Sequence, residues 1–199
     1  MPPSGYDAPM STQFTQQLPA PFARIVRGRA AEWLVLFGAA AILGCDLLDP
    51  TLDARIYAAS EHAIGKAAWL FHLGVGAIFA ATLILLARSW RVQGRSGITR
   101  ALIVAAIGIV GLVVFPTDPG WEVVSVSGRL HPTFALIAAG SLLIGGSRLA
   151  HPKRLIIDTV LLYGAGFAGY FIGGGAGAAE RSALAVVGVL LFLAARRSR

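Results

Sequence analysis

The chain has 199 residues, of which 56% are hydrophobic and only 14% charged; with a mean hydropathy of +0.70 it lies outside the usual composition of a soluble domain. Its net charge of +7 does not point to nucleic acid, because the basic residues form short clusters between apolar runs rather than a face or stripe that could follow a phosphate backbone. One cysteine, Cys45, excludes an internal disulfide and a cysteine-built metal site.

Residues 1–23 are rich in Pro, Gln, Ser and Thr and lack helical periodicity, so they bury too little surface to offset the entropy of ordering. They read as a disordered cytoplasmic arm ahead of a membrane domain over residues 24–199. Arg24, Arg27 and Arg29 then precede a first apolar span, Ala30 to Leu48. Within it, Ile42-Leu43-Gly44-Cys45-Asp46 has the look of a lipoprotein cleavage box. The basic region begins too far into the chain for that, Glu32 opens the apolar run, and further spans follow, so a membrane helix containing a cysteine is the better reading.

A polar, net acidic connection from Asp46 to Lys66, broken at Asp49-Pro50, leads to the second span, Ala67 to Ala87. His72 lies about 9 Å inside that span at 1.5 Å per residue. Arg88, Arg91, Arg95 and Arg100 form a basic turn, and the third span runs from Ala101, or with Ile98 recruited over residues 98–115, to Phe115. Pro116 ends it. The fourth span, Leu130 to Leu149, opens with His131-Pro132, a position where proline is tolerated. After Arg148, His151, Lys153 and Arg154 comes the fifth span, Leu155 to Ile172, whose glycines at 164, 166, 169 and 173 allow close helix packing. The turn Gly173-Gly174-Gly175-Ala176-Gly177 lacks the lysine and hydroxyl residue of a phosphate loop and reads as a flexible connector. Glu180-Arg181 heads the sixth span, Ser182 to Ala195. Each run approaches the ~20 residues needed to cross ~30 Å of hydrocarbon. The expected fold is all-α: a polytopic membrane protein built as a bundle of six transmembrane helices.

Arginine and lysine near span ends are retained in the cytoplasm. With six spans, the termini and the turns after spans two and four share a side holding thirteen of the seventeen basic residues; Arg55, Lys66, Arg129 and Arg181 are the other four. This places both termini in the cytoplasm of a multi-pass protein of the cell membrane, the inner membrane where there are two. Seven of the ten acids, Asp46, Asp49, Asp53, Glu61, Asp118, Glu122 and Glu180, fall on the opposite side. Acids weigh little in topology, so their excess there calls for another reason.

The central polar stretch, Phe115-Pro116-Thr117-Asp118 on through Trp121, Glu122 and Arg129 to His131, is where a site is expected. The outward face collects His72, Asp118, Arg129, His131, Glu180 and Arg181, and ionisable groups at membrane depth are costly unless paired or wet. Three readings are open. The set is a network of ion pairs, Asp118 with Arg129 or Glu180 with Arg181, joining span ends in a structural membrane partner protein. Alternatively, it binds a lipid headgroup or small solute, Arg129 and Arg181 holding a phosphate. In the third, Asp118, His131 and Glu180, with or without His72, hold a divalent ion such as zinc that activates water against a lipid ester or phosphoester; their spacing matches no known ligand signature. Haem between His72 and His131 fits poorly, since one is deep and the other at a helix end. Whether the protein is an enzyme is left open by these residues.

The Phe115-Pro116-Thr117-Asp118 end of span three, His131 opening span four, and Gly177-Ala178-Ala179-Glu180-Arg181 leading span six resemble the integral membrane proteins of domain-of-unknown-function family 998, over about Ala30 to the C-terminus. The resemblance implies a six-span fold and marks Asp118, His131, Glu180 and Arg181 as site positions. It implies no activity.

Overall fold

A computed structural model describes residues 25, 26, 28–120 and 124–198. The arm expected over residues 1–23, together with Arg24, Arg27, Trp121, Glu122 and Arg199, lies outside the described residues. Six α-helices follow one another: α1 (Ala30–Leu48), α2 (Ala68–Gln93), α3 (Gly97–Val114), α4 (Val126–Ala150), α5 (Leu155–Gly173) and α6 (Ala176–Arg197), with a short 3-10 helix (Ala59–Ala63) in the connection from α1 to α2. No strand occurs among the described residues. All six helices are long and apolar enough to cross a membrane, and the fold is an all-α six-helix bundle.

Local chemistry sets the ends. α2 continues past Ala87 through Arg88 and Arg91, good helix formers, and stops at Gly94, whose φ of 56° only glycine adopts freely. α4 begins four residues before the predicted Leu130 because Ser125 caps it, its hydroxyl accepting from the Gly128 amide at 2.9 Å. Pro132 therefore sits in the second turn of α4 rather than the first. Lacking an amide hydrogen, it leaves the Gly128 carbonyl without a helical donor. α6 starts at Ala176, six residues before Ser182, so Glu180 and Arg181 belong to the helix rather than to its lead-in.

Consecutive helices pack as antiparallel pairs, α1 on α2, α3 on α4 and α5 on α6, while α6 also touches α4 and α1, and α2 touches α3. The α1–α2 contact is backbone to backbone: a Cβ on Gly38 would meet the Gly74 carbonyl at 2.9 Å, and one on Gly74 the Gly38 carbonyl at 3.0 Å. The interior is a layer of Val35, Leu85, Leu102, Ile109, Leu142 and Leu191. Outward faces carry large exposed apolar side chains such as Leu47, Leu136, Ile156 and Ile172, as a bilayer-facing surface requires.

The end of the bundle that holds the termini is closed by Arg88. Its buried guanidinium donates to the carbonyls of Val26 (2.6 Å), Gly28 (2.6 Å) and Ala195 (2.7 Å). Arg197 reaches the carbonyl of Ala150, and the Ser147 hydroxyl donates to the buried Asp158 at 2.5 Å, fastening α5 to α4. The opposite end, formed by residues 49–67, the α3–α4 connection and the α5–α6 turn, carries the candidate site.

Candidate functional site

Asp46, in the last turn of α1, faces Arg181, in the second turn of α6. The guanidinium grips the carboxylate with two prongs, Nε to Oδ2 at 2.9 Å and Nη2 to Oδ1 at 2.5 Å, the planar fork that arginine forms best. Its Nη1 donates to the carbonyls of Ala54 (2.9 Å), Tyr57 (2.8 Å) and Gly177 (3.2 Å). Arg181 thus spends its donors on the chain, and its side chain is only 12% exposed. His62 is fully buried in the 3-10 helix, with Nε2 2.8 Å from Asp46 Oδ1. An ionised carboxylate only accepts, so Nε2 carries the proton. Nδ1 is buried with no hydrogen-bond partner.

Neighbouring acids complete this cap over the bundle. Glu180 Oε2 accepts from the Ala59 amide at 3.0 Å, and Glu61 accepts from the amides of Ala58 (3.3 Å) and Gly120 (2.9 Å), so it ties the 3-10 helix to the α3–α4 connection. Asp49 accepts from the Thr51 hydroxyl and from the Lys66 amide at 3.1 Å. These bonds, the Thr51 hydroxyl foremost, hold its carboxyl below the usual aspartate range.

Asp118 and His131 both lie at the corner between α3 and α4, each bonded to other groups. Asp118 accepts from the Ser125 hydroxyl at 2.6 Å and from the amides of Ser125 and Val124, both at 2.8 Å. Led by the Ser125 hydroxyl, these bonds lower its pKa. The carboxylate lies against Gly128, where a Cβ would collide with it. Pro116 prevents α3 from continuing past Phe115, and His131 Nδ1 donates to the Phe115 carbonyl at 2.8 Å. Here too the second ring nitrogen, Nε2, is buried without a partner, while Phe115 and Phe134 stack beside it at 5.3 Å.

The six residues singled out in the sequence therefore separate into three places. Asp118 and His131 share one corner, Glu180 and Arg181 hold the connection from α1 to α2, and Arg129 and His72 are exposed. The expected ion pairs do not form among the described residues: Asp118 is bonded to Ser125 and Val124 rather than Arg129, and Arg181 pairs with Asp46 rather than Glu180. Asp118, His131 and Glu180 do not form a metal-holding group, for no three His, Cys, Asp or Glu side chains converge in that way among the described residues. Nor is Arg181 available to a phosphate. Asp46 and His62 were missed as site residues, and so were the roles of Glu61 and Asp49. The signal for them was the unexplained acidic excess on this side of the chain.

Two recesses open beside the cap. A shallow, open cleft of about 560 Å³ is lined by Asp49, Thr51, Leu52, Glu61, Lys66 and Pro119, among others. A second, apolar groove of about 270 Å³ lies between α2 and α3, walled by Val75, Phe79, Ile109, Val110 and Val113, with His72 on its wall. His72 Nδ1 donates to the Ala68 carbonyl at 2.6 Å, which in the neutral ring leaves Nε2 as an acceptor.

Six apolar helices, with a hydrogen-bonded cap of charged side chains over one end of the bundle, define a multi-pass α-helical membrane protein. The chain matches no family model, and neither a curated protein nor a solved structure is similar to it.

Proposed function

We propose that the protein is a multi-pass protein of the cell membrane that binds a lipid headgroup or a small polar solute in the cleft beside Lys66, on the non-cytoplasmic side. The single observation that carries this reading is the 560 Å³ cleft, which contains Asp49 and Glu61 as well as Lys66. Each carboxylate has about four lone-pair sites, and the amides and the hydroxyl fill only part of them. A ligand bearing an ammonium group close to an anion suits these walls, the ammonium toward the carboxylates and the anion toward Lys66. Arg181, by contrast, holds the backbone at Ala54, Tyr57 and Gly177.

The outward assignment of the cleft is supported by charge. Thirteen of seventeen basic residues lie at the end of the bundle with the termini or in sequence flanking it, the distribution that keeps that end in the cytoplasm. Membership of domain-of-unknown-function family 998 is part of the proposal, on Asp118, His131 and Glu180-Arg181, with Asp118 and His131 joining α3 to α4. Phosphoethanolamine titration followed by NMR of the detergent-solubilised protein tests the reading. Saturable broadening that Lys66→Ala weakens supports it, and a titration identical in the two proteins refutes it.

A further inference from the structure

The cleft and the apolar groove occupy one corner of the bundle. Lys66, on the cleft, stands two residues ahead of the start of α2 at Ala68, and His72, on the groove, lies in the second turn of that helix. Across from them, Val113 and Val114 close the groove in the last turn of α3 and Pro119 lines the cleft just beyond it. At Gly76, in its wall, nothing lies within 4 Å of the place a Cβ would take, so the groove is open there. Its walls are aliphatic or aromatic except at His72. Bordering hydrocarbon, such a groove is suited to an acyl chain.

We propose, on the reading that the cleft binds a headgroup, that cleft and groove together hold one lysophospholipid with an ammonium-bearing headgroup: headgroup in the cleft, single acyl chain in the groove, free glycerol hydroxyl on His72. The hydroxyl follows from the tautomer of His72. In the neutral imidazole, with Nδ1 donating to the Ala68 carbonyl, Nε2 accepts and cannot donate, so the ester carbonyls of a diacyl lipid, which also only accept, find no partner there. A hydroxyl donates. The imidazole is exposed on a membrane helix, a placement that is costly without a polar partner, and it stands at the depth where the glycerol of a lipid seated in the cleft would lie. Only one groove adjoins His72, so one chain is held by protein.

The test uses the full-length protein in detergent and three probes: lysophosphatidylethanolamine, diacyl phosphatidylethanolamine and chain-free glycerophosphoethanolamine. Relative affinities are read by native mass spectrometry for the two lipids and by NMR titration for the soluble headgroup. The lyso lipid is expected to bind about five-fold tighter than the diacyl lipid, the worth of one net hydrogen bond. His72→Phe should bring that ratio to about one and weaken glycerophosphoethanolamine, whose glycerol hydroxyls would meet the same nitrogen, by the same factor as the lyso lipid, whereas Gly76→Leu should weaken both lipids and leave the chain-free headgroup unchanged. A diacyl lipid that binds as well as the lyso lipid, or a ratio unmoved by His72→Phe, overturns the inference. If glycerophosphoethanolamine itself fails to bind, the headgroup reading falls, and this inference falls with it; if it binds and the two lipids do not differ, only the inference about chain and hydroxyl falls.

Discussion

Replacing Arg181 by methionine, which keeps most of the side-chain length and removes every donor, is the substitution to which this end of the bundle should respond most. Asp46 would lose both of its arginine bonds, and the carbonyls of Ala54, Tyr57 and Gly177 would lose a donor each. Breaking a buried pair by removing one partner costs ~3–5 kcal/mol, because a charge stays behind uncompensated. Asp46 retains His62 and is 22% exposed, which favours the lower half of that range, about 3 kcal/mol. For a chain of this size that corresponds to a fall in Tm of on the order of 10 °C, measurable by differential scanning fluorimetry in detergent. Arg181→Lys should recover only part of the loss, since an ammonium cannot form the two-pronged contact and still reach the carbonyls. The double variant Asp46→Leu/Arg181→Met should be less destabilised than the sum of the singles. An Arg181→Met protein that melts within a degree of one carrying the exposed change Arg129→Met would refute the assignment of Arg181 as the clamp.

Other consequences follow from the α3–α4 corner. Asp118 and Asp49 titrate below their unfolded values, so the stability they contribute is present above about pH 4, the ordinary aspartate range, and is lost as pH falls through their lower folded values. Asp118→Asn should lower the neutral plateau of a Tm-against-pH profile and so flatten its acid limb, the two profiles converging as pH falls below the folded value of Asp118. Gly128→Ala should lower Tm because its methyl group meets the Asp118 carboxylate, and combining it with Asp118→Ala should remove most of that penalty. His131→Leu leaves the Phe115 carbonyl without its donor, a loss of ~1–3 kcal/mol, detectable as faster amide hydrogen exchange around residues 115–120.

The helices were legible because crossing hydrocarbon demands a length and composition that survive in the sequence without knowledge of tertiary contacts. Their ends were less so. The predicted start at Ser182 left out Ala176–Arg181 because the glycine run reads as a connector and a charged pair does not belong to an apolar span, yet there α6 is held by Asp46 of α1 and by carbonyls from residues 54 and 57. Asp46 and Arg181 lie 135 positions apart, and no local pattern encodes such a pairing. Proximity in sequence instead suggested Glu180 with Arg181, two residues that a helix points in different directions. The corner at Asp118 and His131 was found because Pro116 marks it, but its chemistry was misjudged: the groups that satisfy these side chains are backbone amides and a carbonyl, which every sequence contains and none advertises. His62 drew no notice because a lone histidine in a loop carries no signal until the aspartate beside it is known.

The placement of the cleft on the non-cytoplasmic face is tested most directly by labelling. Lys66→Cys in a Cys45→Ala background, treated in intact cells with a membrane-impermeant maleimide, should react before the cells are permeabilised. Labelling only after permeabilisation would place the cleft in the cytoplasm and contradict the account.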